Sequence, residues 1–285
     1  MARTLEPYQL VERSIITKYR KVLWNPFIEA VKRYEMIQPG DRISVCISGG
    51  KDSMLLAKLM QQLQKHSDFP FELVFLVMDP GYNELNRQKI ESNAALLNIP
   101  ITIFESDIFE VADSAGKSPC YLCARMRRGY LYSRAQELGC NKIALGHHFN
   151  DVVETTLISM FYGSQLQAML PKLHSTNFEG MTLIRPLYCV HEDDIIAWAH
   201  DNSLEFIQCA CRLTERSAAD TGNVNVSKRK EIKLLLRRLR QGNPNIEKSI
   251  FNSIHAVALD TMPGFKTGGV EHSFLERFNA MESTE

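Results

Sequence analysis

Ser48-Gly49-Gly50-Lys51-Asp52-Ser53 follows the apolar run Ile43-Ser44-Val45-Cys46-Ile47 and precedes Met54, Leu55, Leu56, Leu59, Met60 and Leu63. The first run reads as a strand and the second as a helix, joined by a two-glycine turn. Such a junction cradles phosphate. Glycines let backbone N–H groups approach an anion, and the helix N-terminus adds partial positive charge. Ser48 and Ser53 offer hydroxyls, Lys51 a cation and Asp52 a carboxylate suited to Mg²⁺. A Walker A loop does not fit. Aligned on Gly50-Lys51, its first glycine would fall on Val45 and its last position on Asp52. The dinucleotide fingerprint fails as well. The plain alternative is a junction with no ligand, yet Gly-Gly-Lys-Asp at a strand end has little packing purpose.

The loop sits in an ordinary soluble composition. Of 285 residues, 45% are apolar and 23% charged, enough to build a full core. No apolar run approaches the roughly 20 residues of a membrane helix. Met1 to Tyr19 has no apolar leader, so a cytoplasmic protein with no membrane partner is expected. Lys and Arg number 33, as do Asp and Glu, so overall charge gives no argument for nucleic acid. The distribution says more. Arg125, Arg127, Arg128 and Arg134 cluster, and Lys228, Arg229, Lys230, Lys233, Arg237, Arg238 and Arg240 form a second basic stretch. Each is either a phosphate-binding face or a solvated helix surface.

Along the chain, Tyr8 to Tyr34 reads as helix, with Pro26 starting a second segment and Pro39-Gly40 ending it. Alternation follows. Strands are expected at 43–47, 72–78, 100–104, 142–145, 181–184 and 204–208, with helices near 53–65, 83–97, 121–138, 151–162 and 191–201. A loop is expected from Ser106 to Pro119, a basic helical region after Cys211, and a frayed tail from about residue 262. The expected divisions are an N-terminal helical prelude (1–40), an α/β domain (41–212) and a C-terminal helical region (213–285). Short apolar strands alternating with helices predict a doubly wound parallel sheet covered on both faces. Ligands of such sheets gather at the strands' carboxyl ends. The glycine loop, Asp79, Gly146-His147-His148 and Cys209 each follow an expected strand.

Seven cysteines occur. Cys46, Cys140 and Cys189 stand singly beside apolar residues and read as small core side chains. Cys120-Tyr121-Leu122-Cys123 lies where a helix is expected to start, a place that favours thiolate. Cys209-Ala210-Cys211 supplies two more thiols. Four-cysteine zinc, a redox dithiol, and an iron–sulfur cluster on three cysteines with one iron left open all remain possible readings. So do two unrelated thiol pairs.

With Ser-Gly-Gly-Lys-Asp-Ser, Cys120-x-x-Cys123 and Gly146-His147-His148 in this order, the chain resembles the tRNA 2-thiocytidine synthetases of the PP-loop ATP pyrophosphatase superfamily. It is similar, more distantly, to the 2-thiouridine synthetases. Further shared stretches are Gly-Asp-Arg-Ile (40–43), Cys-x-Leu-Cys-x-Arg-x-Arg-Arg-Gly (120–129), Lys-Ile-Ala-Leu-Gly-His-His (142–148), Met-Phe-Tyr-Gly (160–163), Pro-Lys-Leu (171–173) and Ile-Arg-Pro-Leu (184–187). The resemblance implies a PP-loop fold of the adenine nucleotide alpha hydrolase type, and ATP, Mg²⁺ and a [4Fe–4S] cluster as cofactors. It implies ATP binding by Ser48, Gly49, Gly50, Lys51, Asp52, Ser53, Met78, Gly146 and His147. Lys51, Asp52 and Asp151 are the catalytic candidates, with Asp52 on Mg²⁺. Cys120 and Cys123 carry over as cluster ligands, with Cys209 preferred over Cys211 as the third. Arg125, Arg127 and Arg128 are expected to meet tRNA. Two departures stand out. Gln208-Cys209-Ala210-Cys211 replaces Pro-Cys-x-x-Cys-Gly, and Phe149-Asn150-Asp151 replaces Arg-Asp-Asp.

The implied reaction adenylates O2 of a cytidine in the anticodon loop, releases pyrophosphate and replaces oxygen by sulfur. The sulfur comes from a cysteine desulfurase or free sulfide, and a homodimer is expected. Three competing functions are thiolation of another tRNA base, an ATP-dependent ligase or amidotransferase with structural zinc, and a non-catalytic nucleotide-responsive RNA-binding module. The intact glycine loop speaks against the last. The arginines beside Cys123 speak against the ligase.

Overall fold

The computed structural model describes residues 5–106, 108, 119–207 and 228–282. By internal contact they form two compact units, residues 1–231 and 232–285.

The first unit is built on a six-stranded sheet of order β3-β2-β1-β4-β6-β5. Its strands are β1 (Arg42–Ile47), β2 (Glu72–Asp79), β3 (Ile101–Glu105), β4 (Lys142–Ala144), β5 (Lys172–His174) and β6 (Thr182–Ile184). All neighbours run parallel except β5, which pairs antiparallel with β6 at one edge. Central β1 explains the apolar run that follows Arg42. Ile43 and Val45 are wholly buried, as a strand covered on both faces requires. Helix α3 (Lys51–His66) packs on β1 and β2, and meets α1 (Pro7–Ile16) and α7 (Glu192–Asp201). Helix α5 (Pro119–Glu137) packs on β2 and β4. There Tyr132 and Ala135 close over Ile143 and Leu183, and Tyr132 stacks on Phe178 at 5.1 Å. The remaining helices are α2 (Asn25–Arg33), α4 (Glu84–Leu96) and α6 (Phe149–Gly163). A π-helical turn, Arg20–Trp24, joins α1 to α2, and Pro26 stands in the first turn of α2.

Two buried cations fasten α1 and the loop after α2 to the sheet domain. Lys58 of α3 is fully buried and donates to Glu12 of α1 at 2.8 Å, Gln61 at 2.7 Å and the Leu97 carbonyl at 2.7 Å. Lys142 of β4 donates to Asp41 at 2.5 Å and to the Met36 carbonyl at 3.0 Å. Asp41 also accepts from the Asn141 amide at 2.8 Å and the Gln38 N–H at 2.6 Å. Every buried charge here has a partner, the condition under which burial is tolerated.

The second unit holds the rest of α8 (Lys228–Gly242), α9 (Ile246–Ser253), a hairpin of β7 (Gly264–Thr267) and β8 (Val270–Ser273), and α10 (Phe274–Glu282). In α8, Ile232 and Leu236 are buried four residues apart, while Arg237 and Arg238 are exposed. Among the described residues no helix is long and apolar enough to cross a membrane.

The α/β reading, the parallel sheet and most element positions are borne out. Three expectations need correction. Leu204–Ile207 form no strand. The segment turns at Ser203 (φ 52°) and its Glu205 carbonyl accepts from the Asn93 side chain at 2.8 Å, so a helix, not a ladder, satisfies it. Cys209 and Cys211 lie outside the described residues. Second, the short edge strand β5 stands where no strand was expected. Third, the tail from residue 262 is not frayed. Gly268 and Gly269 both have positive φ, as a two-residue hairpin turn demands. The expected 106–119 loop lies mostly outside the described residues.

Asp41→Ala leaves the buried Lys142 ammonium with one carbonyl partner. Unfolding in urea should show a loss of about 3–5 kcal/mol with an unchanged slope. A loss below about 1 kcal/mol would mean that water reaches Lys142.

Candidate active site at the sheet's switch point

The chain builds β1, β2 and β3 outward in one direction, then returns to place β4 on the other side of β1. At this reversal the loops after β1 and β4 diverge and leave a crevice at the carboxyl edge. The β1 loop is folded over Ser53. Its hydroxyl accepts from the Ser48 N–H at 3.1 Å and the Ser48 hydroxyl at 3.2 Å, and donates to the Gly50 carbonyl at 2.9 Å. Gly50 caps α3, so the N–H groups of the first turn, which begins at Lys51, have no partner within the helix.

Two glycines are there for space. Gly49 has φ +82°, and a Cβ on it would come within 2.5 Å of Ile90 Cγ1 and 2.6 Å of Ile207 Cδ1. A Cβ on Gly146 would lie 3.1 Å from the Ser53 backbone nitrogen and 3.3 Å from the Asp52 carbonyl oxygen. A side chain there would push the β4 loop back from the start of α3 by a few tenths of an ångström.

The charged groups converge on this point. Lys51 Nζ sits 3.2 Å from Asp52 and 3.1 Å from Glu192 at the start of α7. Burial works against its charge, but the two carboxylates outweigh it and raise its pKa. His148 Nε2 stands 3.5 Å from Asp151 and 3.9 Å from both Asp52 and Glu192. Asp151 accepts from the His148 N–H at 3.0 Å and from Arg229 at 2.5 Å. Asn150 accepts from the Glu192 N–H at 2.9 Å, tying α6 to α7. Burial, then Arg185, pulls His147 down to about 4, so its imidazole is neutral at pH 7. Burial lowers Arg185 only to about 10, and it stays charged.

A cleft of about 300 Å³ opens here, lined by Ser48, Asp52, Ser53, Met78, Gly146, His147 and Asp151 of the expected residues. Arg127 and Leu131 of α5 form the opposite wall, with Tyr82 beside them. Gly49, Gly50 and Lys51 belong to the loop itself. Cys120 and Cys123 stand at the N-terminal end of α5, and Cys123 precedes Arg127 by one turn. Arg125 lies in the same helix, and Arg128 is exposed. Glu192, Arg185 and Tyr82 were not singled out by sequence reasoning. Arg229 was read only as part of a basic run. Glu192 carried a faint signal, as an acid opening a helix after a strand-end turn.

A strand–glycine loop–helix cradle at the switch point, with α5 facing it, defines a class of nucleotide-using α/β protein. Residues 17–215 match the PP-loop domain family, and the chain belongs to it. Several of its relatives carry the name tRNA-cytidine(32) 2-sulfurtransferase. The protein of that name from Neisseria meningitidis serogroup C (strain 053442) is 42% identical over 198 residues, 67% of this chain and 61% of that one. The chain thus spans less than two thirds of that relative's length. The Geobacter metallireducens protein of the same name is 35% identical over 241 residues, 83% of this chain and 90% of that one. The U34-tRNA thiolase NcsA from Methanococcus maripaludis, solved with its [4Fe–4S] cluster, shares the fold. Its TM-score is 0.63 at 19% identity, over 85% of this chain and 80% of that one.

Gly146→Ala should weaken ATP binding at least about tenfold, or about 1.4 kcal/mol, by calorimetry. Unchanged affinity would show that the β4 loop can retreat. His147 supplies a pH test. Its folded pKa lies near 4, below the ordinary 6.5, so the unfolded chain binds the extra proton between those values. Stability should therefore fall as pH drops from 6.5 to 4, by about 3 kcal/mol from this residue. His147→Gln should flatten that part of the curve, and an unflattened curve would mean that the imidazole is charged in the fold.

Proposed function

We propose that this chain is an ATP-dependent tRNA sulfurtransferase that converts a cytidine of the anticodon loop, cytidine 32 by its relatives' name, to 2-thiocytidine. The observation that carries this reading is the glycine-loop cradle opening directly onto α5, whose N-terminal end holds Cys120 and Cys123 and whose middle lines the cleft.

Ser48, Gly49, Gly50 and Ser53 bind phosphate through backbone N–H groups and hydroxyls at the start of α3. Lys51 leaves its carboxylate partners and pairs with the phosphates of ATP. Met78 and Gly146 bound the nucleotide, and neutral His147 can donate or accept a hydrogen bond without adding charge. The cytidine O2 attacks the α-phosphorus, the α–β bond breaks, and pyrophosphate leaves. Lys51 and the α3 N–H groups stabilise the negative charge that develops on it. Sulfide then adds at C2 and AMP departs with the former O2. The base must be unstacked to enter, which suits an unpaired loop. Arg127 is placed to meet tRNA phosphate at the cleft wall, with Arg125 and Arg128 on the same helix.

The donor sets fit two further groups. Mg²⁺ takes one or two carboxylates together with substrate phosphates, so Asp52, with a buried oxygen in the cleft, suffices to hold it. Among the described residues no cluster of three or more ligands exists for a metal held by protein alone. Mg²⁺ supplies charge neutralisation on the phosphates. For the [4Fe–4S] cluster, Cys120 and Cys123 occupy a helix start, where thiolate is favoured. Cys209, or Cys211, is the third ligand. The cluster supplies a binding place for sulfide. Cytoplasmic location, a cysteine desulfurase or free sulfide as donor, and a homodimer complete the proposal.

The test is nucleoside mass spectrometry of tRNA from cells with and without this gene. 2-Thiocytidine should vanish without it and return with the wild-type gene. Asp52→Asn should fold normally, restore no 2-thiocytidine and lower the rate of pyrophosphate release at least about 10²-fold. An unchanged 2-thiocytidine level in the deletion would overturn the assignment.

A further inference from the structure

Among the cations around the cleft, Arg229 is set apart by how it is held. It comes from the first turn of α8, far along the chain from α6. Its Nη2 donates to Asp151 Oδ1 at 2.5 Å and its Nε to Glu154 Oε2 at 2.7 Å. Asp151 and Glu154 lie three residues apart on α6, hence on one face of it. Glu154 is buried, with its side chain 2% exposed. The Arg229 side chain is 48% exposed and reaches the pair from outside.

The rest of the first turn of α8 fixes where Arg229 starts from. Lys228 Nζ lies 4.8 Å from the centre of the Tyr162 ring, and the Tyr162 phenol hydrogen-bonds Glu231. Tyr162 is on α6 as well, so this turn is fastened to the helix that carries Asp151. The Asp151 carboxylate is then held on both oxygens. Oδ2 takes the His148 N–H and Oδ1 takes Arg229. Its remaining free directions belong to the cleft that it lines.

We propose that Arg229 is a positioning residue, which sets the orientation of the Asp151 carboxylate toward ATP and braces itself on buried Glu154. This rests on the reading that Asp151 works at the nucleotide. The role needs a planar fork with two donors directed at two carboxylates. A lysine ammonium is a point charge on a flexible stem and cannot hold both in that geometry. A carboxylate free to rotate beside a phosphate costs rate rather than affinity, because only the reacting arrangement requires it in one place.

The experiment compares Arg229→Ala, Arg229→Lys, Asp151→Asn and the Arg229→Ala/Asp151→Asn double variant in the cluster-loaded enzyme with tRNA. Pyrophosphate release, calorimetric binding of a non-hydrolysable ATP analogue and thermal melting are measured for each. Arg229→Ala should lower kcat roughly 10²-fold. Affinity for the analogue should change less than about threefold. Arg229→Lys should melt near wild type yet recover only part of the rate. In the Asp151→Asn background, Arg229→Ala should add no further loss, since the two act as a unit. Should Arg229→Ala fail to fold, Arg229→Lys carries the comparison. Wild-type kcat in both arginine variants beside an inactive Asp151→Asn overturns the positioning role alone. So do losses that multiply in the double variant. Wild-type turnover in Asp151→Asn overturns the reading of Asp151 and the proposal with it.

Discussion

Parallel pairing of Ile43–Val45 with Lys142–Ala144 delivers two loops to the same edge of the sheet, one from each side of the chain's reversal. Space between them is set by atoms, not by flexibility. The β4 loop lies so near the backbone of Asp52 and Ser53 that a Cβ on Gly146 would come within 3.1 Å of it, and the loop would have to give way. From that contact the rest follows. His147 and His148 are carried over the start of α3. Helix α6 begins beside it, and Asp151 enters the cleft from the first turn of α6. A one-residue slip of β4 against β1 would turn each side chain of the strand to the other face and move the histidines away.

The frame that keeps this register is held partly by charge. Lys142 is itself a β4 residue, and its ammonium is consumed by Asp41 and the Met36 carbonyl beneath the sheet. Lys58 plays the same part for α3 through Glu12 and the Leu97 carbonyl. Helix α3 is thus pinned to α1, and β4 to the loop that joins α2 to β1, by fully partnered buried cations. Such pairs add little net stability over apolar packing, but losing one partner is costly, so they specify an arrangement more than they strengthen it.

Much of this was legible in the residues. The strand–glycine–helix junction fixed the cradle, because period-two and period-3.6 apolar patterns meet at Ser48–Ser53. The cleft collects Ser48, Asp52, Ser53, Met78, Gly146, His147, Asp151 and Arg127 from distant points of the sequence. Carboxyl ends of parallel strands converge whatever lies between them. Glu192 escaped because its role is relational. An acid at a helix start looks like a dipole partner until Lys51 is found beside it. Arg229 was hidden in a basic run that also holds exposed residues such as Arg237 and Arg238. The expected strand at 204–208 failed because an apolar alternation cannot say whether a ladder or the side chain of Asn93 will satisfy its carbonyls. The Gly268-Gly269 hairpin was written plainly and was passed over as tail.

Lys51 is already engaged by two carboxylates. A bare monoanion, such as chloride, would have to compete with both of them for the ammonium. A polyphosphate escorted by its own divalent counter-ion brings a substitute companion for a displaced acid. The loop is therefore no general sponge for anions. It discriminates by exchange, and favours visitors that arrive with both signs of charge.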